Sequence, residues 1–427
     1  MATTVRTDAA TEARTKGAAA RRAARVLART PTAVKNQALR AVAEALSEQQ
    51  DEVLAANRED MAAAEAADLS QSTRDRLLLT PARLEAIAAD VRDVAALPDP
   101  VGEIMEMRTV ESGIQVGRQR VPLGVIGVIY EARPNVTIDI ASLAIKSGNT
   151  VVLRGGSDAI QSNLALAKLI SRVMAEAGLP EGIIQLIETT DRQSVTALLQ
   201  ARGLIDVIIP RGGAGLINYC VENSTVPVIE TGAGVCHTYV DQDADVEKAH
   251  KVAFNAKVRR PSICNALDTL LVHEAIAPRL LPALADELAG ENVEMRCDSG
   301  AAALLTDRQN VTPASEADYG TEFLDYIMAV KLVPDLDTAL DHIAHYGSGH
   351  SEAIVTESYT AGQRFMGEVD AAAVYWNVST QFTDGAQFGL GAEVGISTQK
   401  LHARGPMALR EMTTYKWIIY GDGHTRP

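Results

Sequence analysis

The series of short apolar runs in the middle of the chain constrains its fold more than any other feature. These runs lack the alternation of apolar and polar residues that marks a strand with one face in water, and helix-like stretches such as 163–177 separate them. Unalternated strands joined by helices are typical of βαβ units in a parallel sheet covered on both faces. The pattern predicts a doubly wound α/β domain with strands at 124–129, 150–153, 183–187, 207–209 and 226–229.

Three of the predicted strands end in glycine-rich turns, at 154–157, 210–215 and 230–234. In a doubly wound sheet, ligands bind beyond the carboxyl ends of the strands, where glycine lets backbone N–H groups approach a phosphate closely. We therefore expect a nucleotide cofactor at this edge, although the Gly-x-Gly-x-x-Gly fingerprint and the Gly-x-x-x-x-Gly-Lys phosphate loop are both missing from the sequence. Arg154 and Arg211 could contact its phosphates, the alternative being solvated loop arginines.

The heptapeptide 259–265, Arg-Arg-Pro-Ser-Ile-Cys-Asn, places a thiol shortly after two arginines. Nearby positive charge lowers the pKa of a thiol and so favours the thiolate, which is the reactive form. Pro261 and Ser262 predict a helix start, whose N-terminal dipole would act in the same direction. We interpret Cys264 as a candidate nucleophile, the alternative being a small buried hydrophobic residue.

The flanking segments predict packing and assembly elements. Thr-Pro pairs at 30–31 and 80–81 predict the capped starts of amphipathic helices. Residues 103–121 predict a two-stranded hairpin, which lies against another element or another subunit. Residues 409–420 predict a terminal strand that pairs with this hairpin or with a partner chain.

A second sheet is expected after Gly234, with strand-like runs at 237–240 and 269–272. The acidic run 241–245 lacks the oxygen spacing of a metal loop, so we interpret it as a capped helix start. A nearby group of histidines is not completed by a carboxylate or a cysteine. We therefore expect a loop or helix end there rather than a metal triad, for His342, His345 and His350.

Length and composition set the outer limits. At 427 residues, with 47% hydrophobic and 22% charged residues, the chain is expected to form two or three globular domains. A net charge of -15 argues against a nucleic-acid surface, and no apolar run of about 18 residues is present to span a membrane. The four cysteines form no Cys-x-x-Cys pair, and residues 1–29 lack an apolar signal core, so we expect the reducing cytoplasm.

Four longer motifs make the chain recognisable. Residues 122–135, 146–157, 260–265 and 395–406 resemble the corresponding motifs of the gamma-glutamyl phosphate reductase family, also called glutamate-5-semialdehyde dehydrogenase. This family belongs to the aldehyde dehydrogenase superfamily, and the resemblance runs over nearly the whole chain. It implies an aldehyde dehydrogenase-like α/β fold.

The resemblance implies three parts within that fold. Residues 1–104 and 122–235 would form the doubly wound cofactor-binding domain. Residues 236–395 would form an α/β catalytic domain, and residues 105–121 with 396–427 a small β oligomerisation arm.

The resemblance also implies an activity, the NADPH-dependent reduction of L-glutamyl 5-phosphate to L-glutamate 5-semialdehyde in the second step from glutamate to proline. Cys264 would form a thioester with the substrate, and Asn135 would hold the oxyanion, the alternative for Asn135 being a helix cap. Glu230 matches a residue that activates water in hydrolytic relatives, and the reaction with phosphate needs no such water. Together with the glycine-rich turns, the resemblance assigns NADPH binding to Arg154, Gly155, Gly156, Ser157, Arg211, Gly212, Gly213 and Glu322.

The expected partners follow from this chemistry. An acyl phosphate hydrolyses readily in water, so contact with the glutamate 5-kinase that makes it is a hypothesis, alongside assembly into a homo-oligomer. Arg154 suits the 2′-phosphate of NADP, whereas Asp158 could bind a 2′-hydroxyl. No metal, nucleic acid or membrane partner is expected. The alternatives are a hydrolytic NAD(P)-dependent dehydrogenase of another aldehyde, and a non-catalytic nucleotide-binding scaffold.

Overall fold

The computed structural model describes residues 8–426. Helices make up much of the first hundred residues and recur between the strands thereafter. They are α1 (Ala9–Leu27), α2 (Thr32–Glu48), α3 (Gln50–Ala66), α4 (Gln71–Leu77), α5 (Pro81–Ala96), α6 (Asn135–Lys146), α7 (Ile160–Glu176), α8 (Gln193–Leu199), α9 (Ala214–Asn223), α10 (Val246–Val258), α11 (Ala277–Gly290), α12 (Ser299–Leu304), α13 (Leu336–Tyr346) and α14 (Tyr359–Glu368).

The strands begin only after the first five helices. They are β1 (Ile104–Thr109), β2 (Gln115–Pro122), β3 (Val125–Tyr130), β4 (Thr150–Arg154), β5 (Ile184–Leu186), β6 (Val207–Arg211), β7 (Cys236–Val240), β8 (Leu267–His273), β9 (Glu294–Cys297), β10 (Val311–Pro313), β11 (Ile327–Val333), β12 (Ser351–Val355), β13 (Ala373–Trp376), β14 (Ile396–Ser397), β15 (Gly405–Pro406) and β16 (Thr413–Tyr420).

Side-chain caps explain where several helices begin. Thr80 accepts a hydrogen bond from the N–H of Arg83 and precedes a proline at the first position of α5, as the sequence predicts. Asp245 caps α10 by accepting from the N–H of Lys248, so the acidic run before it is a helix start. At the first Thr-Pro pair, Pro31 itself is the cap and α2 begins one residue later, because Pro31 is extended with a ψ of 144°.

The described chain divides into two compact units. The first unit runs through Thr231 and also contains Gly389–Gly395 and the chain from Met407. The second unit contains Gly232–Phe388 and Ile396–Pro406. No helix within residues 8–426 is both long enough and apolar enough to cross a bilayer.

A parallel sheet with the order β5-β4-β3-β6 lies at the centre of the first unit. Its strands are almost entirely buried, because α1, α8 and α9 share an apolar core with them while α6 and α7 pack against β4 and β5. The doubly wound prediction is therefore confirmed.

The fifth predicted strand is the exception. Residues 226–229 form only a single bridge, between Val228 and Ile208. Pro227 supplies a carbonyl to the N–H of Ile208 but has no N–H of its own to donate on the outer side, so the pairing stops there.

A separate antiparallel sheet in the first unit has the order β1-β2-β16. The turn between β1 and β2 uses Gly113 at a φ of +88°, where a side chain would be strained. All of β16 pairs with β2, from Thr413 opposite Pro122 to Tyr420 opposite Gln115. The predicted hairpin and its terminal partner strand are confirmed.

The second unit is built on a parallel sheet with the order β10-β9-β11-β8-β7-β12-β13. Helices α10, α11 and α12 cover one face with an aliphatic core, and α13 and α14 cover the other around Tyr239 and Phe365. The predicted strands at 237–240 and 269–272 are β7 and β8, which pair with each other in parallel.

Candidate active site

Cys264 lies in a turn of the second unit, between the end of α10 at Val258 and the start of β8 at Leu267. The thiol-bearing residue is half-buried, and Arg259 and Arg260 before it are exposed. The prediction of a helix start at Pro261 is wrong. The chain turns tightly, with the N–H of Ala266 donating to the carbonyl of Ile263, and β8 begins before a helical turn could form.

The backbone of Cys264 is held from one side by the second unit's first turn. A Cβ added to Gly234 would lie 1.6 Å from the carbonyl oxygen of Cys264, so the two backbones are in direct contact and only glycine fits. The same carbonyl accepts a hydrogen bond from the buried thiol of Cys236 at 3.2 Å. Burial raises the pKa of Cys236 well above its ordinary value, which leaves this thiol protonated and able to donate.

The residues after β13 hold the turn from the other side. The Thr380 hydroxyl donates to the carbonyl of Asn265 at 2.7 Å, and the Asn265 amide donates to the carbonyl of Thr383 at 3.0 Å. Gln381 reaches back to α10 and donates to the carbonyl of Ala256 at 2.9 Å. Because the turn is held on both sides, the fold defines the position of the Cys264 backbone.

Glu322 also contacts the turn that packs against Cys264. Its half-buried carboxylate accepts a hydrogen bond from the N–H of Gly234 at 2.9 Å, which places it against the turn that contacts Cys264. Burial raises the pKa of Glu322, and the Gly234 hydrogen bond opposes that rise. The structure thus brings Cys264 and Glu322 together.

Asn135 begins α6 in the first unit, directly after β3 and its following loop. Pro134 occupies the cap position, and the Asn135 amide donates instead to the carboxylate of Asp139, one helical turn later, at 2.9 Å. Burial raises the pKa of Asp139 to about 7. An amide has two N–H donors, so this bond fixes the Asn135 side chain while leaving it a second donor for a ligand.

The turn after β4 contains Gly155 and Gly156, packed closely against the protein. A Cβ on Gly155 would lie 2.2 Å from the Asn163 amide, and one on Gly156 would lie 3.2 Å from the N–H nitrogen of Ala132. Ser157 follows them in an exposed position.

Arg154 is buried beneath this turn. Its guanidinium donates to the carbonyls of Gly155 at 2.8 Å and Thr190 at 3.0 Å. Burial lowers its pKa, with exposed Arg192 acting in the same direction. Arg154 therefore braces the glycine turn in this conformation.

The turn after β6 leads into the N-terminus of α9. Gly213 is the cap residue of that helix, and its N–H donates to the carboxylate of Glu131 at 3.2 Å. A Cβ added to Gly212 would lie 2.6 Å from the carboxyl carbon of Glu131, so a side chain there would displace the Glu131 carboxylate from this turn. A Cβ on Gly213 would meet nothing within 4 Å, so the helix start is open to a ligand on that side. Arg211 ends β6 at the same edge of the sheet.

The predicted site residues thus fall into two sets, one in each unit. At the carboxyl edge of the first sheet the structure brings together one set, namely Asn135, Arg154, Gly155, Gly156, Ser157, Arg211, Gly212 and Gly213. Cys264 and Glu322 lie in the second unit.

Of the three histidines in the predicted group, His342 packs in a cluster of rings. His342 on α13 is buried against the rings of His237, Tyr319 and Tyr346, and burial lowers its pKa to about 3. His345 lies in the last turn of the same helix. Burial also lowers the pKa of His350 to about 4. Within residues 8–426, no group of three or more His, Cys, Asp or Glu side chains is arranged to hold a metal ion.

Three ionisable residues beside these groups were missed by the sequence reasoning. They are Asp139, Lys257 and Asp268. The available signals were weak: Asp139 follows Asn135 by one helical turn, Lys257 lies seven positions before Cys264, and Asp268 interrupts the apolar run of β8.

Comparison with known proteins gives the family. The aldehyde dehydrogenase family model matches residues 1–319. The gamma-glutamyl phosphate reductase of Moorella thermoacetica is 55% identical over 98% of this chain and 99% of its own. The chain belongs to the gamma-glutamyl phosphate reductase family, within the aldehyde dehydrogenases.

Other members of the gamma-glutamyl phosphate reductase family agree. The protein from Dehalococcoides mccartyi is 57% identical over 86% of this chain and 87% of its own. The crystal structure of the Thermotoga maritima reductase matches with a TM-score of 0.95 at 47% identity, covering 97% of this chain and all of that one. The sequence-based recognition and the aldehyde dehydrogenase-like fold class are confirmed, and the chain is an oxidoreductase.

Proposed function

We propose that this chain reduces L-glutamyl 5-phosphate to L-glutamate 5-semialdehyde and phosphate, with NADPH as the hydride donor. The observation that carries the proposal is the geometry around Cys264, a half-buried thiol on a turn whose carbonyl is in contact with Gly234 and bonded to Cys236. Relatives named for this reaction match the chain over nearly its whole length, which supports the choice of substrate.

The chemistry assigned to Cys264 is acyl transfer. Its thiolate would attack the acyl carbonyl of the substrate, and the carbon–oxygen bond to phosphate would break with its electron pair leaving on the phosphate. The product of this step is a thioester on Cys264. Because the leaving group is phosphate, water is not a reactant, and Glu230 is given no catalytic role.

We assign to Asn135 the stabilisation of the negative charge that develops on the substrate's carbonyl oxygen. Negative charge grows on the carbonyl oxygen during attack, and in this proposal it would be received by the second amide N–H of Asn135, the one not bonded to Asp139. One such donor contributes on the order of 3 kcal/mol to transition-state stabilisation.

The residues present fit a dinucleotide. At the start of α9 an added Cβ on Gly213 or Gly215 would meet nothing within 4 Å, which suits the approach of a pyrophosphate to backbone N–H groups once it displaces the Glu131 carboxylate from the Gly213 N–H. Glu322 would bind a ribose hydroxyl, and Arg154 would act by bracing the turn of Gly155–Ser157. When bound, NADPH supplies the hydride that reduces the acyl group. A preference for NADP over NAD belongs to this proposal.

The partners and setting are part of the same proposal. Assembly into a homo-oligomer would use the sheet of β1, β2 and β16, whose outer face exposes Tyr415, Trp417 and Ile419. Transfer of the labile acyl phosphate from a glutamate 5-kinase, in the cytoplasm and on the route from glutamate to proline, would suit the chemistry. A kinase that neither binds the chain nor raises coupled flux above free diffusion would remove the kinase contact from this account.

The test uses the reverse reaction, because L-glutamate 5-semialdehyde is more stable than the acyl phosphate. The chain should continue to reduce NADP with this aldehyde beyond a single turnover only when phosphate is present, and NAD should be the poorer acceptor. Oxidation that continues at the same rate without phosphate would identify a hydrolytic dehydrogenase instead. Binding of NADPH without any turnover, and with the same affinity in Cys264→Ala, would identify a non-catalytic scaffold.

A further inference from the structure

A buried ion pair lies behind the turn that carries Cys264. Asp268 is a charged residue inside the apolar strand β8, and Lys257 is on the last turn of α10. Their side chains are 3% and 0% exposed, and the Lys257 Nζ is 4.0 Å from an Asp268 oxygen. Within residues 8–426 this ammonium has no hydrogen-bond partner. Burial lowers the pKa of Lys257 to about 8 and raises that of Asp268 to about 7.

Such a pair is costly, because removing two charges from water is only partly offset by their mutual attraction. Packing could be achieved more cheaply by two apolar side chains. We therefore infer that the pair has a role other than packing, and the hydrogen bonds of Asp268 indicate which.

The Asp268 carboxylate joins two backbone segments. One oxygen accepts from the N–H of Phe323 at 3.1 Å, and the other accepts from the N–H of Cys236 at 3.4 Å. The two segments also meet directly, since Glu322 accepts from the N–H of Gly234. These contacts form a closed ring. In it the Asp268 carboxylate holds both Phe323, the residue after Glu322, and Cys236, at the end of the turn that contacts Cys264.

We propose that Asp268, with Lys257 as its counter-ion, is a positioning residue that fixes Glu322 for binding the ribose of the dinucleotide. This inference rests on the proposed function, which assigns Glu322 to the cofactor. Asp268 touches neither cofactor nor substrate in this account. It acts by setting where the Glu322 backbone lies relative to the Gly232–Cys236 turn.

A double-mutant cycle tests whether Asp268 acts through Glu322. Asp268→Asn replaces one acceptor oxygen by an NH₂ group that opposes a backbone N–H, and Glu322→Gln weakens the ribose ligand. The dissociation constant of NADPH is measured by titration calorimetry for the wild type, both single variants and the double variant. We expect Asp268→Asn to weaken NADPH binding about tenfold in the wild type and less than about twofold in Glu322→Gln.

Two further variants separate positioning from general stability. Asp298 accepts from the N–H groups of Ala301 and Leu332 and so also joins two backbone segments. Asp298→Asn should lower the melting temperature without changing NADPH affinity. Should Asp268→Asn not fold, Asp268→Glu keeps the charge and displaces the carboxylate by one methylene, and it enters the same cycle.

The outcomes are distinguishable. The inference would be overturned if Asp268→Asn weakened NADPH binding equally in the wild type and in Glu322→Gln, or if it did not weaken NADPH binding in the wild type. It would also be overturned if Glu322→Gln alone left NADPH affinity unchanged. A wild-type chain that binds no NADPH would instead overturn the proposed function.

Discussion

Gly234 and Cys264 touch through their backbones, and a single added carbon on Gly234 would lie 1.6 Å from the Cys264 carbonyl oxygen. Backbone on both sides prevents the clash from being relieved by a side-chain rotation. We expect Gly234→Ala to cost at least about 3 kcal/mol of unfolding free energy or to displace the Cys264 turn, with loss of activity in either case. Chemical denaturation and a turnover assay measure the two effects.

Gly290→Ala is the matched control for this substitution. Gly290 ends α11 in the same unit, and a Cβ there would meet nothing within 4 Å. The change should be neutral or slightly stabilising, since alanine favours a helix over glycine by about 1 kcal/mol. A Gly234→Ala protein as stable and active as this control would refute the close contact.

Asp139 predicts a pH dependence of stability. Burial raises its folded-state pKa from 3.8 to about 7. The protonated form is thus favoured by folding, and this contribution is complete below about pH 4 and is lost as the pH rises through about 7. Asp139→Asn removes the titration, so its unfolding free energy should fall less between pH 5 and pH 8 than that of the wild type. Urea denaturation at the two pH values measures the difference.

The control is Asp341→Asn, at an exposed carboxylate, whose unfolding free energy should change with pH as that of the wild type does. An equal fall in the unfolding free energy of all three proteins would contradict the role given to Asp139.

The contacts of Arg154 predict that its substitution weakens the binding of NADPH and NADH equally. Because its guanidinium donates to the carbonyls of Gly155 and Thr190, Arg154→Lys should destabilise the first unit by about 1–3 kcal/mol and weaken NADPH and NADH binding by the same factor. Binding titrations with each cofactor and a melting curve measure this. Arg192→Lys, at an exposed position, should leave stability unchanged. A selective loss of NADPH affinity in a stable Arg154→Lys protein would mean that Arg154 binds the 2′-phosphate directly.

The outer face of β16 predicts assembly through this strand. Tyr415, Trp417 and Ile419 share one face and are 46%, 53% and 57% exposed, which is unusual for apolar side chains in a row. Ile419→Asp should shift the chain toward monomers in light scattering after size exclusion, because a carboxylate cannot be buried there without a partner. Lys416→Asp, on the opposite face of the strand, should keep the assembly. A wild-type chain that is monomeric would contradict the prediction.

Much of the fold could be predicted because unalternated strands and capped helices are local signals. The runs before Gly155 and Gly212 are apolar on both faces, which only a sheet covered on two sides allows. The errors arose where neighbouring elements decide the outcome. No helix begins at Pro261, because α10 has just ended and β8 follows within a few residues, and a pattern of residue types does not contain that spacing.

The site could be predicted only in part for a similar reason. Cys264 stands out by its motif, whereas Asp268 matters through the N–H groups of Cys236 and Phe323, which lie 32 and 55 positions away in sequence. Contacts at such separations depend on how β7, β8 and the segment before β11 pack, and a single sequence contains no record of the pairing.

The most direct test of the central claim is to trap the acyl group on the protein. Incubation with L-glutamate 5-semialdehyde and NADP in the absence of phosphate should give a single burst of NADPH equal to the number of active sites, because the thioester then has no acceptor. Mass spectrometry of the digested protein should find the glutamyl group on the peptide that contains Cys264, and Cys264→Ser should show neither the burst nor the adduct. Sustained turnover without phosphate, or an acyl adduct on Cys220, Cys236 or Cys297, would contradict the account.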